Sequence, residues 1–329
     1  MTSRRTRALG ASRVLVASRA LGASRAAFAT TALALAASIA LAPAALAAPD
    51  KPSVEYVLAG NNGNPEGVAW DPASQTFFTG TVANGTIYRG ALGDTSVDVW
   101  VPGPGTPAVG MKVDGGLLYV AGGPSGLIKV YLIASASLVA TFETGAGGFL
   151  NDLVVTNRGV FVSDSVRPVL WHITPELLAA GSGTPELIAL APEIPFASPF
   201  NLNGIVSFKD GRELIVVHSG LGTLYRVDLS FSGGSVDSRS IAQIASPTVN
   251  ADGLLVDQGM VIAVLGGTAE LAFLDLSGDH SSAMLLGTRT DATFQRPSTI
   301  ARAKNTYLVV NADFTTNTPP FTLSGLPRQ

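Results

Sequence analysis

The 329-residue sequence contains no cysteine, so the chain can form neither disulfide bonds nor thiolate metal sites. A protein of this size must then be stabilised by a large buried core, and a hydrophobic content of 47% is enough to build one. The length allows one large domain or two small ones.

Charged residues are also scarce, at 14% of the chain. Six arginines and no acidic residue lie within residues 1–25, and residues 26–47 form an uncharged run rich in Ala and Leu that ends in Ala45-Leu46-Ala47. A basic segment, an apolar segment and small residues at the end are typical of a secretory signal peptide. We therefore expect cleavage after Ala47 and a secreted protein, either extracellular or periplasmic.

Without residues 1–47 the chain has 15 basic and 24 acidic residues, a net charge of −9. Such a protein lacks the positive surface that nucleic acids and anionic lipids require, so neither is expected as a partner. Pro43 and the small residues after it disfavour a permanent membrane span. Arg4-Arg5 could begin a twin-arginine signal, but the apolar residues expected directly after the pair are missing.

Two common motifs are missing as well. No Gly-x-Ser-x-Gly sequence stands between a strand and a helix, which disfavours a serine hydrolase. The glycine pairs Gly122-Gly123 and Gly147-Gly148 lie between predicted strands, whereas a phosphate-binding loop precedes a helix. The only predicted helix is Pro175 to Ala180, with Thr174 as its N-cap.

What the sequence does contain is a repeat. Residues 251–264 combine an acidic residue and a glycine with an apolar strand, a turn and a second strand. The pattern occurs six times at a spacing of about 40 to 50 residues, and each copy has three or four strands. A β-sandwich with long loops would not explain this constant order. The repeat therefore predicts an all-β fold, a six-bladed β-propeller with four-stranded antiparallel blades, over residues 48–329.

The first strand of each propeller blade lines the central channel, so equivalent residues of the copies should meet at its mouth. Aligning the copies gives one such set: Glu66, Val109, Asn151, Asn203, Asp252 and Pro297. Val109 and Pro297 indicate that the fold itself requires no polar residue at this position. The remaining two carboxylates and two amides suit Ca²⁺ first, then Mg²⁺ or Mn²⁺, and Zn²⁺ through oxygen ligands.

Four short motifs occur in one order across the predicted mature chain: Glu66-Gly67, Asn151-Asp152-Leu153, Asn203-Gly204 and Asp252-Gly253-Leu254. In this order the sequence resembles the family of senescence marker protein, gluconolactonase and luciferin-regenerating enzyme. The resemblance implies one divalent ion held by Glu66, Asn203 and Asp252. It also implies that Asn151 lies beside the ion or touches the substrate, and that Asp252 is the catalytic acid/base of lactone hydrolysis.

The sequence departs from that family at several positions. Members that hydrolyse sugar lactones often have an arginine just before the Asn-Asp pair, whereas Gly148-Phe149-Leu150 precedes Asn151 here, which favours a more apolar lactone or ester. His218 stands where an aspartate is common, and it is either a proton shuttle at the mouth, and so a third catalytic candidate, or a residue that merely ends a strand.

Related paraoxonases hold a second, buried calcium with further acidic or amide residues. Gly67, Gly204 and Gly253 occupy those positions here and only Asp152 remains, so one ion is expected. Four phenylalanines fall in loops that should rim the mouth, where they form either an apolar substrate wall or caps on the blades: Phe149, Phe196, Phe200 and Phe294.

Two functions remain open. One is a secreted, metal-dependent hydrolase, expected as a monomer, that acts on a small-molecule lactone or ester. The other is a non-catalytic propeller that binds a ligand, glycan or protein around a structural metal. A condensing enzyme similar to strictosidine synthase would need a glutamate that the sequence does not place.

Overall fold

The structure, a computed structural model, describes residues 52–197, 199–233 and 235–328. Almost all regular structure in these ranges is β-strand, with one α-helix and one short 3-10 helix (Lys209–Gly211). The predicted signal peptide, residues 1–47, lies outside the described residues. No helix among the described residues is long and apolar enough to cross a membrane.

The strands form six four-stranded antiparallel units, which we number as blades in chain order. Strand β1 (Val54–Leu58) comes before them and belongs to the last one. Blade I contains β2 (Pro65–Asp71), β3 (Thr76–Thr81), β4 (Ile87–Ala91) and β5 (Ser96–Val101). Blade II contains β6 (Met111–Asp114), β7 (Leu117–Ala121), β8 (Leu127–Leu132) and β9 (Ser137–Glu143).

Blade III carries the α-helix and a two-residue strand between its third strand and its outermost strand. Its elements are β10 (Leu150–Thr156), β11 (Gly159–Asp164), β12 (Val169–Ile173), α1 (Pro175–Ala180), β13 (Ser182–Gly183) and β14 (Glu186–Ala189). The two-residue β13 pairs in parallel with β9 of blade II, so this excursion ties two blades together. As predicted, Thr174 caps α1, its hydroxyl accepting a hydrogen bond from the Leu177 N–H at 3.1 Å.

The remaining blades complete the array. Blade IV contains β15 (Leu202–Phe208), β16 (Glu213–His218), β17 (Thr223–Ser232) and β18 (Ser235–Gln243). Blade V contains β19 (Leu254–Asp257), β20 (Met260–Leu265), β21 (Glu270–Leu276) and β22 (Ala283–Thr290). Blade VI contains β23 (Pro297–Ala303), β24 (Thr306–Asn311) and β25 (Thr322–Pro327), with β1 as its outermost strand.

The first described strand closes the ring. Strand β1 pairs antiparallel with β25 of blade VI, where Tyr56 lies opposite Leu323, and in parallel with β5 of blade I, where Val57 lies opposite Ser96. Each innermost strand also contacts the innermost strands of both neighbouring blades, and β2 contacts β23. The chain is therefore a six-bladed β-propeller, and the predicted fold class is confirmed.

The core consists of apolar layers between adjacent blades. Between blades III and IV, for example, Phe161 and Leu170 form one cluster with Leu214 and Val227, all fully buried. Because each blade packs on both of its faces, the strands carry near-continuous apolar runs such as β20 and β24. These layers supply the stability that disulfide bonds cannot provide in a chain without cysteine.

Candidate metal and active site

A β-bulge near the start of the innermost strand turns selected side chains towards the channel. In blades I, III, IV and VI the regular pairing with the second strand breaks for two residues. A bulge sets two residues opposite one and redirects their side chains. The bulged pairs are Glu66-Gly67, Asn151-Asp152, Asn203-Gly204 and Ser298-Thr299.

In the other two blades, Asp252 and Val109 occupy the same place, two residues before regular pairing begins at Leu254 and Met111. The bulge also corrects the alignment of the sixth copy. The equivalent residue there is Ser298, not Pro297, because Pro297 still pairs regularly with Asn311. Sequence patterns alone cannot register a one-residue bulge.

Hydrogen bonds run from blade to blade at this level. The N–H groups of Gly110, Gly204 and Gly253 donate to the carbonyls of Asn151 at 2.8 Å, Asp252 at 2.9 Å and Ser298 at 2.8 Å. The Ser298 hydroxyl donates to the carbonyl of Glu66 at 2.9 Å. A Cβ atom on Gly110 would lie 2.4 Å from the Asn151 oxygen, so only glycine allows this approach. The backbone that carries the candidate residues is thus held by its neighbours around the channel.

The structure brings the four predicted ligands together. Glu66, Asn151, Asn203 and Asp252 all line one cavity of about 360 Å³. They also line a second cavity of only about 10 Å³, together with Asp152. Residues separated by almost two hundred positions in sequence therefore share one site, as the repeat predicted.

Asn151 is fixed in orientation. Its Nδ2 donates to the Ser165 hydroxyl at 3.0 Å, and that hydroxyl donates in turn to the Leu202 carbonyl at 2.5 Å. These bonds engage the amide nitrogen of Asn151 and leave its oxygen for the cavity. The amide oxygen of Asn151 is therefore in position to accept a hydrogen bond or to coordinate a metal ion.

The two carboxylates lie in an environment that disfavours charge. Burial raises the pKa of Glu66 well above its usual value, and the charges of Asp252 and Asp152 raise it further, while Lys112 opposes them. Burial likewise raises the pKa of the half-buried Asp252 to about 7, against a hydrogen bond from Asn203 and with a further rise from Asp152. A cation is what would stabilise both groups in their ionised form.

Lys112 places one positive charge close to these carboxyl groups. Its Nζ donates to Asp152 Oδ1 at 2.7 Å, and Asp152 is buried. With Glu66 and Asp252 ionised, three carboxylates and one ammonium leave a net charge of −2 in the channel. One divalent ion would neutralise that charge, so the residues present fit a single ion.

The donors at this site are oxygen atoms. Among the described residues, no three His, Cys, Asp or Glu side chains are grouped closely enough to form a metal site by themselves. An ion bound here would therefore need the amide oxygens of Asn151 and Asn203 beside the two carboxylates. That donor set suits hard cations such as Ca²⁺ or Mg²⁺.

His218 lies outside this set. It ends β16, and its Nε2 donates to the Pro195 carbonyl at 2.9 Å, while its Nδ1 accepts from the Leu221 N–H at 3.2 Å. It does not line the cavity that contains Asp252. Both ring nitrogens are thus hydrogen-bonded to backbone groups of two loops, and the side chain lies outside the cavity.

In two other blades the residue at the end of the second strand also bonds a loop backbone. Asp164 ends β11 and accepts from the Phe149 N–H at 3.0 Å. Asn311 ends β24 and accepts from the Gln295 N–H at 3.0 Å. In each case a polar side chain at the end of the second strand holds the connection that enters the blade. A histidine that does this job is consistent with the prediction that it merely ends a strand.

The aromatic rim differs in part from the expectation. Phe149 and Phe200 do line the cavity, with ring centroids 5.1 Å apart and an interplanar angle of 84°. Phe196 instead packs near His218, and Phe294 packs against the apolar layer between blades V and VI. Phe314, which the sequence analysis did not identify, completes the wall. Its signal is the long connection between Asn311 and Thr322, where other blades have a short turn.

Comparisons with known proteins establish the fold. A scan against family models and a search of curated proteins both find no match. A solved structure described as a gluconolactonase is 16% identical over 85% of this chain and 93% of that one, with a TM-score of 0.60. Luciferin-regenerating enzyme is 12% identical over 84% of this chain and 95% of that one, with a TM-score of 0.60.

Regucalcin from Agrobacterium tumefaciens, described as a calcium-binding protein, is 16% identical over 84% of this chain and 96% of that one, with a TM-score of 0.58. The family that the sequence resembles is therefore represented among the structural neighbours of this chain. At these identities the likeness concerns the propeller fold.

Proposed function

We propose that this chain is a metal-dependent hydrolase of a lactone or related ester, with one Ca²⁺ ion as the preferred metal. The observation that carries the proposal is the convergence of Glu66, Asn151, Asn203 and Asp252 at the floor of one cavity. The fold shared with proteins described as a gluconolactonase and as calcium-binding regucalcin supports it.

Glu66, Asn203 and Asp252 would hold the ion, with Asn151 beside it. When bound, a divalent ion polarises an ester carbonyl and makes a nearby water more acidic. Mg²⁺, Mn²⁺ and Zn²⁺ are the alternatives to Ca²⁺ for such a donor set.

Asp252 would be the group that moves the proton. It faces the cavity and is only half-buried, whereas Glu66 is buried. Its carboxylate would take a proton from water as the oxygen attacks the carbonyl carbon, and would return that proton to the leaving alkoxide as the C–O bond breaks. Asn151, fixed by Ser165, would orient the substrate oxygen, and Phe149 and Phe200 would limit access of bulk water.

The test is the initial rate of the mature protein on a panel of lactones and aryl esters, with added Ca²⁺ and with a chelator. We expect turnover that the chelator removes, that Ca²⁺ restores, and that Asp252→Asn abolishes. A folded, Ca²⁺-loaded protein without turnover on the whole panel would contradict the hydrolase and favour the non-catalytic binding propeller.

We also propose that the chain is exported after removal of residues 1–47, which rests on the sequence of that segment alone, and that the mature protein is a monomer. The N-terminal sequence and the mass of the exported protein would test it. A mature N-terminus at Ala48 is expected, and retention of residues 1–47 would contradict the proposal.

A further inference from the structure

The wall of the candidate site is apolar. Above the floor formed by the ligand set, the cavity is lined by Val82, Val109, Phe149, Phe200 and Phe314. Among the lining residues described, Glu66 and Asp252 are the only charged ones, and both belong to the floor. A substituent projecting from the reacting carbonyl would therefore meet only hydrocarbon and aromatic surface.

Phe149 is held firmly in this wall. Its N–H donates to Asp164 Oδ1 at 3.0 Å and its carbonyl accepts from the Ser165 N–H at 2.9 Å. Asp164 is fixed in turn by Arg167, whose Nε donates to its Oδ2 at 2.7 Å. A Cβ atom on the preceding Gly148 would lie 2.3 Å from the Arg167 guanidinium and from Asp164 Oδ2, so a side chain there would displace this ion pair. These bonds fix the backbone of Phe149 and so determine where its ring lies in the cavity wall.

The other two phenylalanines leave apolar surface uncovered. Phe200 is 52% exposed and Phe314 is 49% exposed, although both line the cavity. Phe200 packs edge to face against Phe149 and so continues the wall outward. Exposed apolar surface that adjoins a cavity is typical of a binding site that an apolar ligand covers.

We infer that the preferred substrate is a lactone or ester with an uncharged hydrocarbon substituent, which lies against Phe149, Phe200 and Phe314. This inference rests on the proposed hydrolase function. A polyhydroxylated lactone would have to bury hydroxyl groups against a wall that offers them no hydrogen-bond partner, which is unfavourable. Each CH₂ covered by the wall should instead raise kcat/KM about fourfold, which corresponds to about 0.8 kcal/mol per buried CH₂.

The first test is a chain-length series of γ-lactones, from unsubstituted butyrolactone to its butyl and hexyl derivatives, beside glucono-δ-lactone. We expect kcat/KM to rise along the alkyl series and to be lowest for the sugar lactone. A flat series, or a preference for the sugar lactone, with turnover present would overturn the inference and leave the hydrolase intact.

The second test uses variants. Phe200→Ala and Phe314→Ala should each lower kcat/KM about tenfold for the hexyl lactone, through KM, and lower it less for butyrolactone, which lacks the alkyl chain. Phe149→Leu keeps an apolar side chain and should have a smaller effect of the same kind. Met284→Ala, on the outermost strand of blade V where Met284 is 59% exposed, is the matched control and should change nothing. Equal losses on all lactones would overturn the inference.

A binding measurement separates the two proposals. The neutral fluorescent probe N-phenyl-1-naphthylamine should bind saturably, be displaced by the hexyl lactone, and bind more weakly to Phe200→Ala. If no lactone is hydrolysed but these binding results hold, the hydrolase fails while the apolar site stands. If neither the probe nor the hexyl lactone binds, the apolar site is excluded.

Discussion

Two aspartates at opposite ends of one short strand have opposite surroundings. Asp252 precedes β19 and Asp257 ends it, so both belong to the same innermost strand region of blade V. Asp252 shares its surroundings with the carboxyl groups of Glu66 and Asp152, and its pKa is raised, first by burial and then by the charge of Asp152. It belongs to the candidate site at the channel mouth.

Asp257 is surrounded by donors. Arg328 bonds it with two nitrogens, at 2.6 Å and 2.7 Å, Arg302 Nη1 lies 3.0 Å away, and the Tyr307 hydroxyl donates at 2.7 Å. Burial alone would raise its pKa, but the hydrogen bonds from Arg328, Tyr307 and Arg302 hold the pKa below its usual value. Asp257 thereby links blade V to the last residues of the chain.

The difference separates a carboxylate that is paired with cations from one that lies at the candidate site. A buried carboxylate that serves stability is paired with cations and donors. One that is held beside other carboxylates costs stability, and such arrangements are concentrated at functional sites. Because only five sequence positions separate the two aspartates, their environments and not their local sequence decide the role of each.

The largest effects are expected when each aspartate is replaced in turn and both turnover and stability are measured. Asp252→Asn should lower turnover by about 10²- to 10⁴-fold, the range for loss of a general acid/base, without lowering the free energy of unfolding of the metal-free protein. Asp257→Asn should leave turnover within about twofold but lower the free energy of unfolding by about 2–3 kcal/mol, through loss of charged hydrogen bonds.

Urea unfolding in chelator and initial rates in Ca²⁺ measure both quantities on the same variants. The distinction between the two aspartates would collapse if Asp252→Asn unfolded the protein, or if Asp257→Asn lowered turnover as much as Asp252→Asn. Asp257→Glu, which keeps the charge, should lie between the wild type and Asp257→Asn in stability.

The next effect is the pH dependence of the contribution that Asp257 makes to the free energy of unfolding. Because its folded-state pKa is depressed, its contribution to stability is fully present above the unfolded pKa of about 3.9 and is lost as the pH falls through the lower folded pKa. The difference in the free energy of unfolding between wild type and Asp257→Asn should therefore be constant from pH 6 to about 4.5 and shrink below about pH 4. A difference that grows as the pH falls would refute this assignment.

These contrasts also mark what the sequence can predict. The repeat placed Glu66, Asn151, Asn203 and Asp252 at one level because a propeller puts equivalent strand positions around one axis, and the structure agrees. The one-residue bulge that makes Ser298 the sixth equivalent leaves no trace in the apolar pattern, since it shifts pairing without changing residue type. The apolar pattern predicts where the strands run, whereas the bulge belongs to the pairing of the innermost strand with the second strand of its own blade.

The contacts of charged residues were the least predictable. Nothing in the sequence marks the partners of Lys112, Arg302 and Arg328, yet the first pairs with Asp152 and the other two with Asp257. The partners of Arg302 and Arg328 lie 45 and 71 positions away. Phe314 was missed for a similar reason, because a loop residue joins the wall only through the closure of the ring.

A smaller effect is expected at Lys112. This lysine pairs with the buried Asp152 in the channel, as the arginines pair with Asp257. Lys112→Met removes the cation from the buried Asp152 and should lower the free energy of unfolding in chelator by about 1–2 kcal/mol, since the lysine side chain is 29% exposed. The net channel charge becomes more negative, so the rise in Tm on adding Ca²⁺ should be larger than in the wild type. Lys112→Arg is the control and should resemble the wild type. An equal loss of Tm with and without Ca²⁺ would show that Lys112 is not part of the charge balance.

The smallest effect is expected at His218, because its two ring nitrogens already bond the Pro195 carbonyl and the Leu221 N–H. A group engaged in this way holds loops and has no free position with which to carry a proton to the cavity. His218→Gln, which can replace only part of this bonding, should lower the free energy of unfolding by about 1 kcal/mol and change kcat by less than about threefold, with an unaltered pH–rate profile. A hundredfold fall in kcat in a variant of normal stability would contradict this prediction. It would place His218 in the catalytic set beside Asp252, and the polar residue at the end of a second strand would then do more than hold a loop.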